Sequence, residues 1–462
     1  MNSDDKKRYL ILKDSNIYKG LIILALPLMF NNLIRTFHDL IDMFFVSKID
    51  GYASEAISSI GITFPVTFTY ISLGMGLSVA GTALISQLYG SGQNEKASEY
   101  ATHLMVISLI IGFAANILGF FLAGPIMRAM GAEGFTLTNS IAYLRIRSFE
   151  LPFLFLFYAF TAIRQSSGDT ITPVILGVIA MVVNSILSPI FISVFGFGVA
   201  GAAYATVIAN IVIMPYGLVL MFKSKTGIKV RLKYTKLKKK ISSEIIKTAI
   251  PASLGQAITA IGFAVLTTFI LSYGENTTAA FNIGNRISSI FLHPVMAIGG
   301  VLSAYIGQNI GNLNPERAKE AFKKGMILSL ILMTIMSVIG FFARRPLAAI
   351  FLEDNAFALD LAVTYMFFLF LGLPLMAIYQ AFIGVYNGNG KTNLTFWLGT
   401  TRLWFIRIPL IIYFKNQTDF GSSGIWYAML LSNILIAILG TVLYKRYIKF
   451  EPKINLEPSL ND

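Results

Sequence analysis

Asn31, Arg35, His38 and Asp42 stand at spacings of four, three and four inside one apolar run, so a helix aligns them as a single polar stripe with Asp39 beside it. Tyr143, Arg147 and Glu150 share one face of a later run, and Arg145, nearer its end, reads as a side chain that snorkels. Asn184 and Ser188 lie one turn apart, as do Ala202 and Thr206. Carboxylates in apolar surroundings can exchange protons, and amide, hydroxyl and carbonyl oxygens suit a hard cation such as sodium. Plainer readings stand beside these. Arg35–Asp39 and Arg147–Glu150 have the spacing of intrahelical pairs that neutralise each other, and Asn, Ser and Thr in membrane helices bond across to neighbours. Asp42 differs, because His38 is the sole basic residue three or four places away. An uncompensated carboxylate removed from water favours its neutral form, so Asp42 is the candidate for ion or proton coupling. The second half offers basic groups instead: Arg286, His293, Arg402 and Arg407.

The elements that carry these residues come in two copies. ISQLYGSGQNEKASEYATHLM, from Ile85, returns 221 positions later as IGQNIGNLNPERAKEAFKKGM, from Ile306. Gln87 then matches Gln308, and Gly90 matches Gly311. Pro27 pairs with Pro251, Pro152 with Pro374, Gly168 with Gly390, Tyr204 with Tyr427 and Asn210 with Asn433 at nearly the same offset. Duplicated bundles that rock against each other around a central site are a recurrent design of secondary transporters. The Gln-x-x-Gly elements read as helix-capping turns before short charged segments, and a gating role would require motion.

Hydrophobic residues make up 55% of the chain, charged residues 13%, and the mean hydropathy is +0.69. Apolar runs long enough to cross the roughly 30 Å of a bilayer fall at about 20–47, 57–88, 100–124, 140–164, 171–195, 200–222, 246–272, 279–309, 324–344, 361–386, 393–414 and 424–445. Each is expected to be a helix, which satisfies its own backbone in lipid. The fold class is therefore an all-α membrane protein with twelve spans. Residues 1–222 form one six-helix lobe, 223–245 a basic linker, and 246–462 a second lobe with a short tail.

The net charge of +14 is placed like that of a membrane protein rather than a nucleic-acid binder. Lys223, Lys225, Lys229, Arg231, Lys233, Lys236, Lys238, Lys239, Lys240 and Lys247 crowd the linker, whereas loops at the opposite end hold Asp50, Glu55, Glu133, Glu275, Glu353, Asp354 and Asp419. The positive-inside rule then puts the linker and both termini in the cytoplasm of a multi-pass cell (inner) membrane protein. Anionic lipid headgroups are the expected partner of the linker, and no nucleic acid is expected. The first apolar run is a retained helix rather than a signal peptide, since it is long, polar in places and lacks a small-residue cleavage pattern. With no cysteine there is neither disulfide framework nor thiolate chemistry, and His38, His103 and His293 are scattered, so an enzyme is not expected. Gly388–Thr392 only faintly resembles a phosphate-binding loop: position 385 is Val, no strand precedes it, and it reads as a helix–helix turn.

Pro27…Asp42, the paired Gln-x-x-Gly and Gln-Asn-x-Gly elements, GDTITP at 168–173, NSILSPIFI at 184–192 and GVAGAAYAT at 198–206 together resemble the multidrug and toxin extrusion (MATE) transporters. The likeness spans essentially the whole chain. It points to the DinF-like branch, within the multidrug/oligosaccharidyl-lipid/polysaccharide exporter superfamily. It implies twelve helices in two lobes around a V-shaped central cavity, and export of organic cations and other amphipathic drugs in exchange for protons or sodium ions. It also implies a coupling site at Asp42, Asn184, Ser188, Ala202 (through its carbonyl) and Thr206. Ser188 departs from the aspartate of many relatives, which leaves Asp42 the sole charged member and tilts the expectation from sodium towards protons. Arg35, Asp39, Arg147 and Glu150 are accessory charges at membrane depth. Apart from sodium at the coupling site, neither metal nor cofactor is expected.

The function read from these features is secondary-active antiport of amphipathic compounds, cationic ones foremost, by a monomer embedded in membrane lipid. Phe153, Phe157, Tyr158, Met181, Phe291 and Tyr379 are candidate cavity-wall residues, binding flat or cationic molecules by apolar contact and cation–π attraction. Each could equally be ordinary packing. The rival reading is a flippase for a lipid-linked glycan precursor, its pyrophosphate met by Arg35, Arg147, Arg402 and Arg407.

Overall fold

The computed structural model describes residues 3–46, 53–224, 227–352 and 355–454, with side chains described outside 3–5, 34–46, 53–54 and 57. Every regular element among the described residues is helical. A short α1 (Ser3–Leu12) precedes the first lobe, formed by α2 (Ile17–Val46), α3 (Ala53–Gly90), α4 (Asn94–Ala129), α5 (Gly134–Ser148), α6 (Leu151–Ser166), α7 (Ile171–Pro189) and α8 (Gly198–Phe222). The second comprises α9 (Lys239–Leu271), α10 (Glu275–Gly311), α11 (Pro315–Leu352), α12 (Ala356–Gly388), α13 (Thr392–Thr400), α14 (Ile408–Gln417) and α15 (Ser423–Tyr447). Among the described residues nine helices are long and apolar enough to cross a membrane, or ten if α5 and α6, bent by 49°, form one span. The other two expected runs fall on α2 and on Thr392–Gln417, where a π-helical stretch, Thr401–Arg407, separates α13 from α14. The chain is an integral membrane protein. Its outward faces carry the lipid-facing apolar side chains this requires, Phe121, Phe342 and Ile350 among them.

Two departures from the sequence reading have local causes. The run expected at 140–164 is one helix by hydropathy, yet the chain bends at Phe149–Glu150, just ahead of Pro152. Proline lacks an N–H and crowds the preceding turn, so a break there costs little backbone bonding. The linker, read as a basic segment out to 245, is docked: Lys229 and Arg231 donate backbone N–H bonds to Ser98 and Thr102 of α4, Lys238 donates one to His103, and α9 starts already at Lys239. Ile228 and Val230 bury themselves in the first lobe's core, which holds the strap in register.

The lobes exchange helices where they meet. α2 packs on α7 of its own lobe and on α10 of the other, and α9 packs on α13 of its own lobe and on α3 of the other. Ile17, Leu21 and Leu24 thereby join Ile298, Leu302 and Tyr305, while Ile241, Ile245 and Ala249 join Leu77, Ala80 and Leu84. Clusters near the far ends draw on one lobe each: Ala123, Met127 and Leu144 in the first, Leu266, Phe281 and Trp426 in the second. The lobes therefore converge at the linker end and pack separately at the other, the V shape expected of the fold.

The repeated Gln-x-x-Gly elements end α3 and α10, as their sequence suggests, and they are also the seam of this junction. Gln87 Nε2 donates to the Gly388 carbonyl at 3.1 Å, and Gln308 Nε2 donates to the Ser166 carbonyl at 2.7 Å. In each case the side chain reaches the last turn of the other lobe's fourth span. A Cβ on Gly90 would collide with the Gln308 backbone, and one on Gly311 with that of Gln87, so only glycine permits the approach. Gly168 and Gly390, with φ of 84° and 68°, end the spans that the two glutamines cap.

The tails close the same end. Lys453 donates its N–H to Gln87 Oε1 and its ammonium to Thr248 Oγ1 and the Gly390 carbonyl. Lys7 of α1 pairs with Asp169 at 2.9 Å. Burial works against the charged Asp169, but hydrogen bonds from Thr172 and Lys7, and the Lys7 charge, outweigh it and hold the carboxyl below its usual value. A depressed carboxyl contributes stability above its ordinary value and loses it as pH falls through the folded value, so at neutral pH the tether is fully formed. Asp169→Asn is expected to loosen the start of α1, seen as faster hydrogen exchange around residues 3–9, while Leu10 and Ile11, held by Tyr305, Asn309 and Arg317, stay protected.

Candidate functional site

α7 presents Gly177, Met181, Asn184 and Ser188 at spacings of four, three and four, one stripe along the helix. Its upper part faces α2, since the place for a Cβ on Gly177 lies 3.2 Å from Asn31 Oδ1 and 3.9 Å from the Phe157 ring. Its lower part faces α8. Asn184 Nδ2 donates to Thr206 Oγ1 at 3.0 Å, Ser188 Oγ donates to Asn184 Oδ1 at 3.2 Å, and Thr206 Oγ1 donates to the Ala202 carbonyl at 3.0 Å. Four of the five residues expected at the coupling site thus form one hydrogen-bonded chain. Asn184 is 2% exposed, Ser188 0% and Ala202 7%, so their oxygens are withdrawn from water. The fifth, Asp42, lies on α2 where side chains are outside the described residues, as do Arg35 and Asp39. α2 itself runs against both α7 and α8.

The accessory pair joins the same network through a residue the site prediction missed. Asn210, one turn beyond Thr206 on α8, donates to the Thr206 carbonyl at 3.1 Å and to Glu150 Oε1 at 3.2 Å. Glu150 Oε2 pairs with Arg147 Nε at 3.0 Å, and the Arg147 guanidinium lies 5.9 Å from the Tyr143 ring centre. A continuous polar path therefore runs Ser188–Asn184–Thr206–Asn210–Glu150–Arg147. The signal for Asn210 was present in the sequence: four residues after Thr206, and repeated as Asn433.

Neutral oxygens within hydrogen-bond reach, close to a helix carrying a carboxylate, can strip and hold a small cation or pass a proton. Among the described residues no cluster of His, Cys, Asp and Glu arranged for a transition metal occurs.

The wall candidates divide between the lobes. Phe153 and Phe157 pack against the first lobe's core, and the Tyr158 ring lies over Gly74 of α3. Met181 is half-buried on the α7 stripe. Phe291 meets Phe370 edge-to-face at 5.1 Å in the second lobe. Tyr379 is buried under the Arg402 guanidinium, 4.2 Å from its ring centre. Of the arginines proposed for a pyrophosphate, Arg147 is engaged by Glu150, while Arg402 and Arg407 lie together on the second lobe's π turn.

The family model described as MatE matches residues 27–190 and again 251–412, one match per lobe. The "Probable multidrug resistance protein YoeA" of Bacillus subtilis is 24% identical over 89% of this chain and 90% of its own length. The "FAD transporter" of Shewanella oneidensis is 26% identical over 92% and 94%. A solved structure described as the outward-facing conformation of a multidrug resistance MATE family transporter superposes with a TM-score of 0.89 at 24% identity, over 95% of this chain and 97% of that one.

Proposed function

Because the chain belongs to the multidrug and toxin extrusion (MatE) family of transporters, we propose that it is a secondary-active antiporter that exports amphipathic drugs or toxins, cationic ones foremost, in exchange for protons or sodium ions. The observation that carries this is the hydrogen-bonded chain Ser188–Asn184–Thr206–Asn210–Glu150 in the first lobe, in which Ser188, Asn184 and Glu150 are buried. The ion acts there, through Asp42, and rocking of the lobes about the Gln87–Gln308 seam switches access. The concentration of Lys and Arg at the seam end supports a cytoplasmic linker and termini, with the described arrangement open to the outside. Relatives named for drug resistance and for FAD transport support a broad class of flat, amphipathic cargo. Expression in a pump-deficient bacterial host is expected to raise resistance to ethidium-like dyes and lower their accumulation. Unchanged accumulation across a broad panel, with cell-wall precursor translocation dependent on the protein, would replace this reading with the flippase.

The coupling ion turns on Ser188. Opposing charge offsets most of the dehydration cost of a cation, so a site with one carboxylate and neutral oxygens holds sodium weakly, while the same carboxylate still takes a proton. Wild-type efflux is expected to stop when the pH gradient collapses and to survive replacement of sodium by choline. Ser188→Asp, which restores a second carboxylate beside Asn184, is expected to make efflux sodium-dependent. Strong sodium stimulation of the wild type at a fixed pH gradient would contradict the assignment.

A further inference from the structure

Around an equivalent asparagine the two lobes place opposite charge. In the first, Asn210 Nδ2 donates to the Glu150 carboxylate, two residues ahead of Pro152. The repeat partners are Asn433 and Gly372, two residues ahead of Pro374. They also meet in space: a Cβ on Gly372 would lie 3.3 Å from Asn433 Nδ2, with Leu430 at 3.8 Å. At the position of the first lobe's carboxylate the second lobe thus has a glycine, packed closely against Asn433.

Arg407 fills the other side. Its Nε donates to Ser432 Oγ and its NH2 to Asn433 Oδ1, both at 2.9 Å, and the residue is 3% exposed. Arg402, 6% exposed, stacks on Tyr379, points NH1 at the sulfur of Met376, and among the described residues its buried Nε has no partner. Among the described residues neither arginine contacts a carboxylate. Burying a guanidinium against a thioether and a phenol ring is costly unless an anion completes it, and a planar fork is the preferred receptor for carboxylate and phosphate oxygens. The π turn over Thr401–Arg407 widens the helix where both arginines leave it, a distortion that recurs at functional sites.

We propose that Arg402, Arg407 and Asn433 form an anion receptor in the second lobe, which takes the carboxylate or phosphate of an aromatic amphipathic substrate, whereas in the first lobe Asn210 bonds the protein's own Glu150. The inference rests on the export reading and sharpens its substrate class to compounds that carry an anionic group beside their aromatic or cationic part.

Matched probes test it on the purified full-length protein by equilibrium binding. Rhodamine 110 carries a free carboxylate, and rhodamine 123 is its methyl ester; flavin mononucleotide and riboflavin are the pair for phosphate. The wild type is expected to bind the anionic member of at least one pair about tenfold more tightly, the magnitude of one charged hydrogen-bonded contact. The pair that shows the preference identifies carboxylate or phosphate. Arg402→Gln is expected to erase it and Arg402→Lys to retain part of it. Equal affinity within both pairs for the wild type, which needs no variant to fold, overturns the receptor; so does an undiminished preference in Arg402→Gln. Dye efflux in vesicles separates the two readings. Gradient-driven export without anion preference removes only the receptor, and preference without export removes only the transport reading.

Discussion

Asp42→Asn is expected to reduce gradient-driven export to the level of protein-free vesicles, with membrane insertion and thermal stability retained. The substitution keeps the shape of the side chain and removes the one titratable group that the coupling site carries. Asn184, Thr206 and the Ala202 carbonyl remain bonded to each other, so the neutral part of the site survives. Glu150→Gln is a smaller functional lesion, because Asn210 can still bond the amide. It also takes a carboxylate from Arg147, and breaking a buried ion pair costs on the order of 3–5 kcal/mol. Its signature is therefore lower stability with residual transport. Equal loss of transport in both variants at unchanged stability would make the whole Ser188-to-Glu150 path a proton relay. Full activity of Asp42→Asn would remove the coupling assignment.

The second large effect is at the seam. Gly311→Leu places a side chain into the Gln87 backbone, and no rotamer relieves a clash that begins at Cβ. The lobes must separate at the linker end, which breaks Gln87–Gly388 and Gln308–Ser166 together. Transport is expected to fall by at least about tenfold, the consequence of losing more than roughly 1.4 kcal/mol from one of the two alternating states. Hydrogen exchange at the last turns of α6 and α12, whose Ser166 and Gly388 carbonyls the two glutamines hold, is expected to be faster in the Gly311→Leu chain than in the wild type. Equal exchange would mean that the seam absorbs the side chain without opening.

Much of this architecture was legible in the sequence because membrane helices announce themselves by hydropathy and duplications by residue matches. The polar residues Asn184, Ser188 and Thr206 were legible because they keep helical spacings in a hydrophobic background, while their reading as a coupling site with the Ala202 carbonyl came from the family resemblance. What the sequence hid is tertiary. Gln87 and Gly90 look like punctuation at a helix end, since nothing in a linear reading says that the facing surface is the other copy of the same motif. Asn210 was visible by its spacing from Thr206 and as a repeat match, but its partner Glu150 lies 60 positions away on a bent element. The bend itself depends on Pro152, which apolar runs tolerate in many contexts. The uneven charge of the two halves was legible, but the replacement of Glu150 by Gly372 gains meaning only when Arg407 is found beside Asn433.

The central claim is gradient-coupled export, and one assay tests it most directly. Purified protein in sealed vesicles is loaded with ethidium, and a pH gradient and a sodium gradient are imposed separately across the membrane. The account predicts uphill dye movement driven by the pH gradient, abolished by dissipating it and absent with Asp42→Asn. Dye movement that is only downhill, and identical with and without either gradient, would contradict it.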